Sequence, residues 1–261
     1  MARIPNVLSI AGSDPSGGAG IQADIKTVTM LGGYAMTAVT ALTAQNTQGV
    51  RDVAPSSPDF VRAQIAACIE DIGVDAVKIG MLGGAAIASA VAEEMDKLAV
   101  PIVFDPVMVA TSGAALADEG TIAAFARLME LATVTTPNLP ELAALTGMSP
   151  GNSVAVAEAA QVLRDRHGCA VLAKGGHGTS DRLQDILVTE DKAASFDDER
   201  IDTRHTHGTG CTLSSAIATL LGHGQSLEHA VRLGRQFTRK AILAAPGFGK
   251  GNGPLGHQGV R

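Results

Sequence analysis

The segment from Thr206 to Thr212, with the sequence THGTGCT, is the part of the chain best suited to chemistry. An alanine- and leucine-rich stretch follows it and ends at Gly222, so we predict that Cys211 opens a helix. A helix start exposes unpaired N–H groups and carries a partial positive charge, which both favour a bound phosphate. Gly208 and Gly210 let the backbone approach an anion closely. The same field favours a thiolate at Cys211, a base or nucleophile.

A structural alternative stays open for this segment. A glycine turn before a buried helix would have the same sequence, with Cys211 as a small apolar filler. The neighbouring histidines, His205 and His207, are two residues apart, which suits no common helical metal pair and argues against a metal role.

Other polar residues follow predicted strands. Lys174 precedes two glycines, so its ammonium could reach a phosphate across the sheet edge, although a solvated strand-end lysine fits equally. Asn138 and Glu141 have the spacing of a helix capping box. A functional interpretation places Glu141 near Mg²⁺, directly or through water, with Asp105 assisting. Asp105 stands before Pro106 and could instead cap a turn.

These residues depend on an alternation of short β-rich runs with longer helical patterns. The predicted strands cover residues 6–12, 34–45, 75–80, 101–105, 133–137 and 170–176. The predicted helices cover residues 19–31, 58–72, 85–98, 153–167, 212–221 and 227–245. An antiparallel pair, 185–190 and 193–201, turns at residues 191–192. The alternation predicts one three-layer α/β/α domain over residues 1–261, with a mostly parallel central sheet.

Ligands of such sheets sit at the carboxyl ends of the strands. This rule makes candidates of Gly12, Gln45, Gly80, Asp105 and Lys174. The chain has no G-x-x-x-x-G-K-[ST] sequence, and no G-x-G-x-x-G follows its first strand. Phosphate binding therefore has its best place at residues 208–211.

Composition argues against several functions. Nucleic-acid binding is disfavoured because the net charge is −6 and aromatic residues make up only 3% of the chain. Three cysteines without C-x-x-C spacing argue against a disulfide framework and a zinc site, and Cys68 and Cys169 are predicted core residues. Reduced thiols, no signal-peptide pattern and no long apolar run predict a soluble cytoplasmic protein without a membrane partner.

Taken in order, the motifs resemble the ribokinase superfamily, in particular the hydroxymethylpyrimidine/phosphomethylpyrimidine kinases of thiamine biosynthesis. The segments that carry the resemblance are 9–14, 17–27, 40–47, 77–82, 105–107, 137–141, 174–177, 206–212 and 251–254. Each segment is weak alone, but their order over nearly the whole chain is specific. One departure is His205, where the family pattern has Asn.

The resemblance implies a ribokinase-like fold and an activity that depends on ATP and Mg²⁺. Phosphate would pass to the hydroxymethyl group of 4-amino-5-hydroxymethyl-2-methylpyrimidine, and a second phosphate to the first. Cys211 stands where most of the superfamily has an aspartate base. The resemblance also implies a homodimer, and the sequence leaves open whether K⁺ assists.

The resemblance also assigns site residues. Gly208, Thr209 and Gly210 would form an anion hole, and Lys174 and Asn138 would lie near the nucleotide phosphates. The amide of Gln45 matches the donor–acceptor edge of a 4-aminopyrimidine. The resemblance places four further residues around the same ring: Gly12, Asp24, Met81 and Val107.

Three rival functions remain. A pyridoxine/pyridoxal kinase of the same superfamily is the nearest. A cysteine hydrolase would pair Cys211 with His207, although no third orienting group is evident. A catalytically silent nucleotide-binding regulator would bind ATP without turnover.

Overall fold

The computed structural model describes residues 3–110, 113, 116–177 and 182–260. The strands are β1 (Asn6–Ala11), β2 (Tyr34–Val39), β3 (Ala41–Asn46), β4 (Gly49–Pro55), β5 (Ala76–Ile79), β6 (Ile102–Phe104), β7 (Val134–Thr135), β8 (Ala170–Ala173), β9 (Arg182–Val188) and β10 (Ala193–Glu199). The α-helices are α1 (Gly20–Met30), α2 (Pro58–Asp71), α3 (Ala85–Met95), α4 (Glu119–Leu131), α5 (Leu139–Thr146), α6 (Ser153–His167), α7 (Thr209–Gly222) and α8 (Leu227–Leu243). Short 3₁₀ helices cover Gly175–His177 and His257–Gly259.

In the described residues, eight strands form one sheet in the order β10-β9-β8-β7-β6-β5-β1-β2. The strands from β8 to β2 run parallel, whereas β9 and β10 are antiparallel to their neighbours. This confirms the mostly parallel sheet and the antiparallel pair that the sequence predicts.

Helices cover both faces of this sheet. Successive residues of a strand point to opposite faces, and β1 shows how the two cores follow from that rule. Leu8 and Ile10 lie in a core that includes residues of α2 to α6. Val7 lies in a second core, with residues of α1, α7 and α8. The three-layer architecture is therefore confirmed.

Local signals set several helix ends. Ser57 accepts a hydrogen bond from the Phe60 N–H and precedes Pro58 at the first position of α2. Asn152 caps α6 in the same way, and Gly168 ends that helix with a φ of 79°. Within the described ranges, no helix is both long and apolar enough to cross a membrane.

The single extended segment predicted over residues 34–45 is wrong. The chain leaves the main sheet at Thr40, which is buried and donates from Oγ1 to the Met81 carbonyl at 2.6 Å. Beyond it, β3 pairs antiparallel with β4 in a separate two-stranded sheet. Strand β4 and helix α4 are absent from the sequence-based prediction.

The cysteines divide much as predicted. Cys169 lies in the core, and Cys68 is half-buried and packs against it. Cys211 lies in the first turn of α7, which starts at Thr209, two residues earlier than Cys211 itself.

Candidate active site

The candidate site lies where the carboxyl ends of neighbouring strands meet the start of α7. Asp105 follows β6 and Lys174 follows β8. Gly210, in the first turn of α7, lies against both. A Cβ added there would stand 3.3 Å from Asp105 Oδ2 and 3.4 Å from Lys174 Nζ. The structure thus brings together three predicted residues from distant parts of the chain.

The turn before α7 requires a glycine. Gly208 is the N-cap residue and has a φ of 88°, in the left-handed region that glycine adopts at low cost. A Cβ at this position would lie 1.8 Å from the Gly18 carbonyl oxygen. Within the described chain no side chain caps α7, and the Thr209 N–H donates to the Thr206 carbonyl at 3.2 Å, so the N–H groups of Gly210 and Cys211 are the first-turn donors that face an anion.

Asp105 is the anionic centre of this edge. It is buried and accepts hydrogen bonds at Oδ1 from Lys174 Nζ at 2.7 Å and from Thr136 Oγ1 at 2.9 Å. Burial acts to raise the pKa of Asp105, but the charges of Lys174 and Lys78 outweigh it and lower the net pKa. Asp105 is therefore ionised at neutral pH.

Lys174 is not the solvated strand-end lysine of the alternative interpretation. Its side chain is 14% exposed, and its ammonium is bound to Asp105. Burial acts to lower the pKa of Lys174, but the negative charges of Asp105 and Glu141 raise it above its ordinary value. The lysine is therefore a fixed positive charge beside the start of α7.

Asn138 and Glu141 form the capping box that their spacing predicts. Asn138 Oδ1 accepts from the Glu141 N–H at 2.9 Å, and Glu141 Oε2 accepts from the Asn138 N–H at 2.7 Å. Burial is the main cause that raises the pKa of Glu141 to about 7, with Lys174 opposing and Asp105 adding to the rise. This carboxylate therefore caps α5 and also belongs electrostatically to the candidate site.

Cys211 is half-buried at the third position of α7. Burial raises the pKa of its thiol to about 11, and the carboxylates of Asp24 and Asp105 add to the rise, while the charge of Lys78 opposes it. The sequence predicts a thiolate at the helix start, and this prediction is wrong because the net pKa of Cys211 is raised. At neutral pH the group is a thiol.

A sealed ion pair lies near this thiol. Lys78 and Asp24 are both fully buried, with 2.8 Å between Lys78 Nζ and Asp24 Oδ2. Ser9 Oγ and Ser215 Oγ donate to the same carboxylate, each at 2.6 Å. Asp24 has no exposed surface and its oxygens are engaged, which corrects the prediction that it lines the substrate ring. Burial is the largest single effect and acts to lower the pKa of Lys78, but Asp24 and the other acidic groups nearby together outweigh it, so the net pKa is raised.

Sequence reasoning missed Lys78. The signal was available, because a lysine in the strand Ala-Val-Lys-Ile stands among residues that must be buried on both faces of a parallel sheet. A buried lysine needs an anionic partner, and Asp24 is that partner.

The residues predicted to surround a pyrimidine fall into neighbouring positions. The Gly12 N–H donates to the Met81 carbonyl at 3.0 Å, and a Cβ on Gly12 would stand 2.5 Å from Met81 Cε. Val107 lies two residues after Asp105, and its N–H donates to the Asp105 carbonyl at 2.8 Å. Gln45 is half-buried at a bulge in β3. That these residues enclose one ring stays a prediction.

A second pair, unforeseen from the sequence, connects the loop after β1 to the turn before α7. His207 Nε2 lies 2.8 Å from Asp14 Oδ2, and both side chains are buried. The same oxygen accepts from the N–H groups of Gly18 and Ala19. This pair holds the glycine loop against the THGTGCT segment.

The carboxylates of the candidate site do not form a metal site with three or more protein ligands in the described residues. Across the part of the chain that the structure describes, no group of three or more His, Cys, Asp or Glu residues is placed to hold a metal ion. Asp105 and Glu141 remain two carboxylates at one edge, which matches the sparse protein ligation that Mg²⁺ accepts when phosphates and water complete its shell.

Known proteins match this chain over nearly its whole length. A family model described as phosphomethylpyrimidine kinase matches residues 14–256. The hydroxymethylpyrimidine/phosphomethylpyrimidine kinase of Haemophilus influenzae is 41% identical over 98% of this chain and 98% of its own.

Solved structures are similar over the same length. An ADP complex of Bacillus subtilis pyridoxal kinase aligns with a TM-score of 0.92 and 34% identity, covering 99% of both chains. A phosphomethylpyrimidine kinase from Clostridium difficile aligns with a TM-score of 0.82 and 37% identity, covering 92% of this chain and all of the other.

Proposed function

The chain belongs to the phosphomethylpyrimidine kinase family, and we propose that it phosphorylates 4-amino-5-hydroxymethyl-2-methylpyrimidine with ATP. It then phosphorylates the monophosphate to the pyrophosphate used in thiamine biosynthesis. The observation that carries the proposal is the meeting of Gly210, Asp105 and Lys174 within hydrogen-bond or contact distance beside Cys211.

Phosphoryl transfer needs positioning and charge neutralisation more than covalent chemistry. The first-turn N–H groups of α7 and the fixed charge of Lys174 provide two kinds of donor for phosphate oxygens. Asp105 holds the ammonium of Lys174, and only 14% of the lysine side chain is exposed to a ligand. Asn138 lies on the same edge, paired across the strand ends with Lys174.

Cys211 acts at the alcohol. A cysteine with a pKa of about 11 is protonated at neutral pH and cannot accept a proton in that form, so we assign it first to orienting the hydroxyl. The transition state is loose, so the hydroxyl proton leaves late. Only the minor thiolate form of Cys211 can take that proton, and it becomes the thiol as it does so. The charge of Lys78 acts to lower the pKa of Cys211 and so favours the thiolate before the transfer.

The second acceptor differs in its chemistry. A phosphate monoester has a second pKa of about 6 and is largely ionised at neutral pH. It has no proton that must be removed, so the second transfer depends on the anion-binding groups and much less on Cys211.

Asp105 and Glu141 are the residues that would hold Mg²⁺, through its water shell. The ion would neutralise charge on the nucleotide phosphates when bound. The protein's own part is to keep Asp105 ionised, which the neighbouring lysines do.

The direct test is product formation. The purified protein is incubated with ATP, Mg²⁺ and the aminopyrimidine alcohol, and mass spectrometry follows the mono- and diphosphate. Appearance of the monophosphate and then of the diphosphate supports the proposal. An acyl adduct on Cys211 would instead favour a cysteine hydrolase, and ATP binding without product a silent regulator.

A second candidate function is phosphorylation of pyridoxal or pyridoxine. It is favoured by the alignment with Bacillus subtilis pyridoxal kinase over 99% of both chains. Competing the two alcohols at equal concentration ranks them. We expect the aminopyrimidine to be preferred, because Gln45 offers both a donor and an acceptor to its edge.

We also propose a cytoplasmic homodimer that binds small molecules and neither nucleic acid nor membrane. Light scattering after gel filtration tests the dimer, and comparing rates in K⁺ and Na⁺ buffers tests whether K⁺ assists.

A further inference from the structure

A buried ion pair that the proposed reaction does not use connects β9 with α8. Asp185 Oδ2 accepts from Arg235 Nε at 2.7 Å, and both side chains are buried. Arg235 has a second carboxylate partner, because its Nη1 lies 2.9 Å from Asp198 Oδ2. Burying charge is costly unless the remaining hydrogen-bonding positions are also filled. The second oxygen of Asp185 shows what the pair holds.

That oxygen binds the backbone directly after Lys174. The Gly175 N–H donates to Asp185 Oδ1 at 2.8 Å. Gly175 also lies so close to β9 that a Cβ there would stand 1.9 Å from the Gln184 carbonyl oxygen. Residues 184–185 therefore hold Gly175 both by a hydrogen bond and by direct backbone contact.

This contact fixes the backbone from which the Lys174 side chain extends. The peptide group between Lys174 and Gly175 is planar, so a fixed Gly175 N–H also fixes the Lys174 carbonyl. On the other side, the Lys174 N–H donates to the Pro137 carbonyl at 2.9 Å. Lysine has a flexible four-carbon side chain, so the position of its ammonium depends on a backbone that does not move.

The ion pair also relates Lys174 to α7. Arg235 lies on α8, which packs closely on α7 at Gly234. A Cβ on Gly234 would stand 3.3 Å from the Ile217 side chain and 3.4 Å from that of Ala216. Asp185 therefore connects the backbone at Lys174, through Arg235, to the helix that packs on α7.

We propose that Asp185 is a positioning residue that holds Lys174 in its place relative to the start of α7, with Arg235 holding Asp185. The inference rests on the proposed function, in which Lys174 and the first turn of α7 bind the same phosphate. Misplacing a binding group by about 1 Å can cost about 10²-fold in rate. Asp185 acts through Lys174 and is not itself a ligand of ATP.

The test is a double-mutant cycle on kcat/KM for ATP. Asp185→Ala is introduced into wild type and into Lys174→Met. We expect a fall of about 10-fold or more in wild type and of less than about threefold in Lys174→Met, because Asp185 has nothing to position once the lysine is absent. Equal falls in both backgrounds would mean a merely structural role and would overturn the inference. So would an unchanged kcat/KM in Asp185→Ala.

Asp198→Ala is the matched control. It removes the other carboxylate partner of Arg235 and leaves the hydrogen bond between Asp185 and Gly175 in place. Each single variant keeps one carboxylate beside Arg235, and urea unfolding measures the stability that each retains. We expect Asp198→Ala to change kcat/KM for ATP by less than about threefold. A fall as large as that of Asp185→Ala would show that the contact with Gly175 is not the cause, and would overturn the inference.

A further measurement needs no variant. Hydrogen exchange of wild type, followed by NMR, reports on the Gly175 amide. Slow exchange supports its bond to Asp185, and exchange as fast as in an unfolded chain overturns the inference. A wild type that binds ATP but phosphorylates no alcohol defeats the proposed function. The same cycle, measured as dissociation constants of ATP by calorimetry, then still decides the role of Asp185.

Discussion

Two lysine–aspartate pairs lie near the start of α7 and have almost the same geometry. Lys78 and Asp24 are 2.8 Å apart and Lys174 and Asp105 are 2.7 Å apart. The first pair has no exposed surface, whereas Lys174 keeps 14% of its side chain exposed. Of the two pairs, therefore, only Lys174–Asp105 has exposed surface on its lysine with which to contact a ligand.

The difference shows how one interaction serves two purposes. The sealed pair cannot exchange a partner with a phosphate, so it acts only through its charge on Cys211 and through the cost of leaving an ion unpaired. In the partly exposed pair, Asp105 holds the ammonium of Lys174 in place, while the exposed part of Lys174 can still contact a ligand.

The largest expected effect follows from breaking the sealed pair. Lys78→Met leaves the fully buried Asp24 carboxyl without its cation, which should lower the free energy of unfolding by about 3–5 kcal/mol. Urea unfolding followed by circular dichroism measures it. The double variant Lys78→Met with Asp24→Asn removes both charges and should recover most of the loss. Equal stability of wild type and Lys78→Met would show that the pair is not sealed in solution.

Replacing Lys174 should lower the rate of phosphate transfer more than it lowers the stability of the fold. Lys174→Met removes the donor that we propose for the transferring phosphate, and we expect kcat/KM to fall by about 10²–10³-fold in both transfers. The urea midpoint should move less than it does in Lys78→Met, because Asp105 still accepts from Thr136. Steady-state assays with each acceptor measure the rates. A loss confined to one transfer would contradict this assignment.

A smaller effect concerns Glu141 and pH. Its pKa in the folded protein is raised from 4.5 to about 7, mainly by burial. The folded state therefore holds this proton more tightly than the unfolded state. The resulting stabilisation is complete below pH 4.5 and is lost as the pH rises to about 7. Unfolding curves across this range should show the decline in wild type and a flatter profile in Glu141→Gln. Parallel profiles would exclude Glu141 as the source.

Parts of this arrangement follow from sequence. Alternating strands and helices predict the sheet, and the strand-end rule then places Asp105 and Lys174 on one edge. The Asn138–Glu141 capping box follows from spacing alone. These features are local, or depend only on the direction of parallel strands, which is why a sequence pattern contains them.

Other parts depend on packing between distant segments. Asp14 and His207 are 193 residues apart, and no local sequence pattern around either residue predicts their contact. The break at Thr40 depends on a contact with the Met81 carbonyl. The raised pKa of Cys211 reflects burial and two carboxylates from other elements, none of which the sequence prediction, based on the helix field, could include.

We propose that Cys211 acts on the hydroxyl group in the first transfer. The N–H groups at the start of α7 and the ammonium of Lys174 bind phosphate oxygens in both transfers. Cys211→Ala, assayed separately with the aminopyrimidine alcohol and with its monophosphate, tests this most directly. We expect the first transfer to slow by about 10²-fold, the lower range for a general base, and the second to change by less than about threefold. Equal losses in both transfers would show that the thiol only shapes the site.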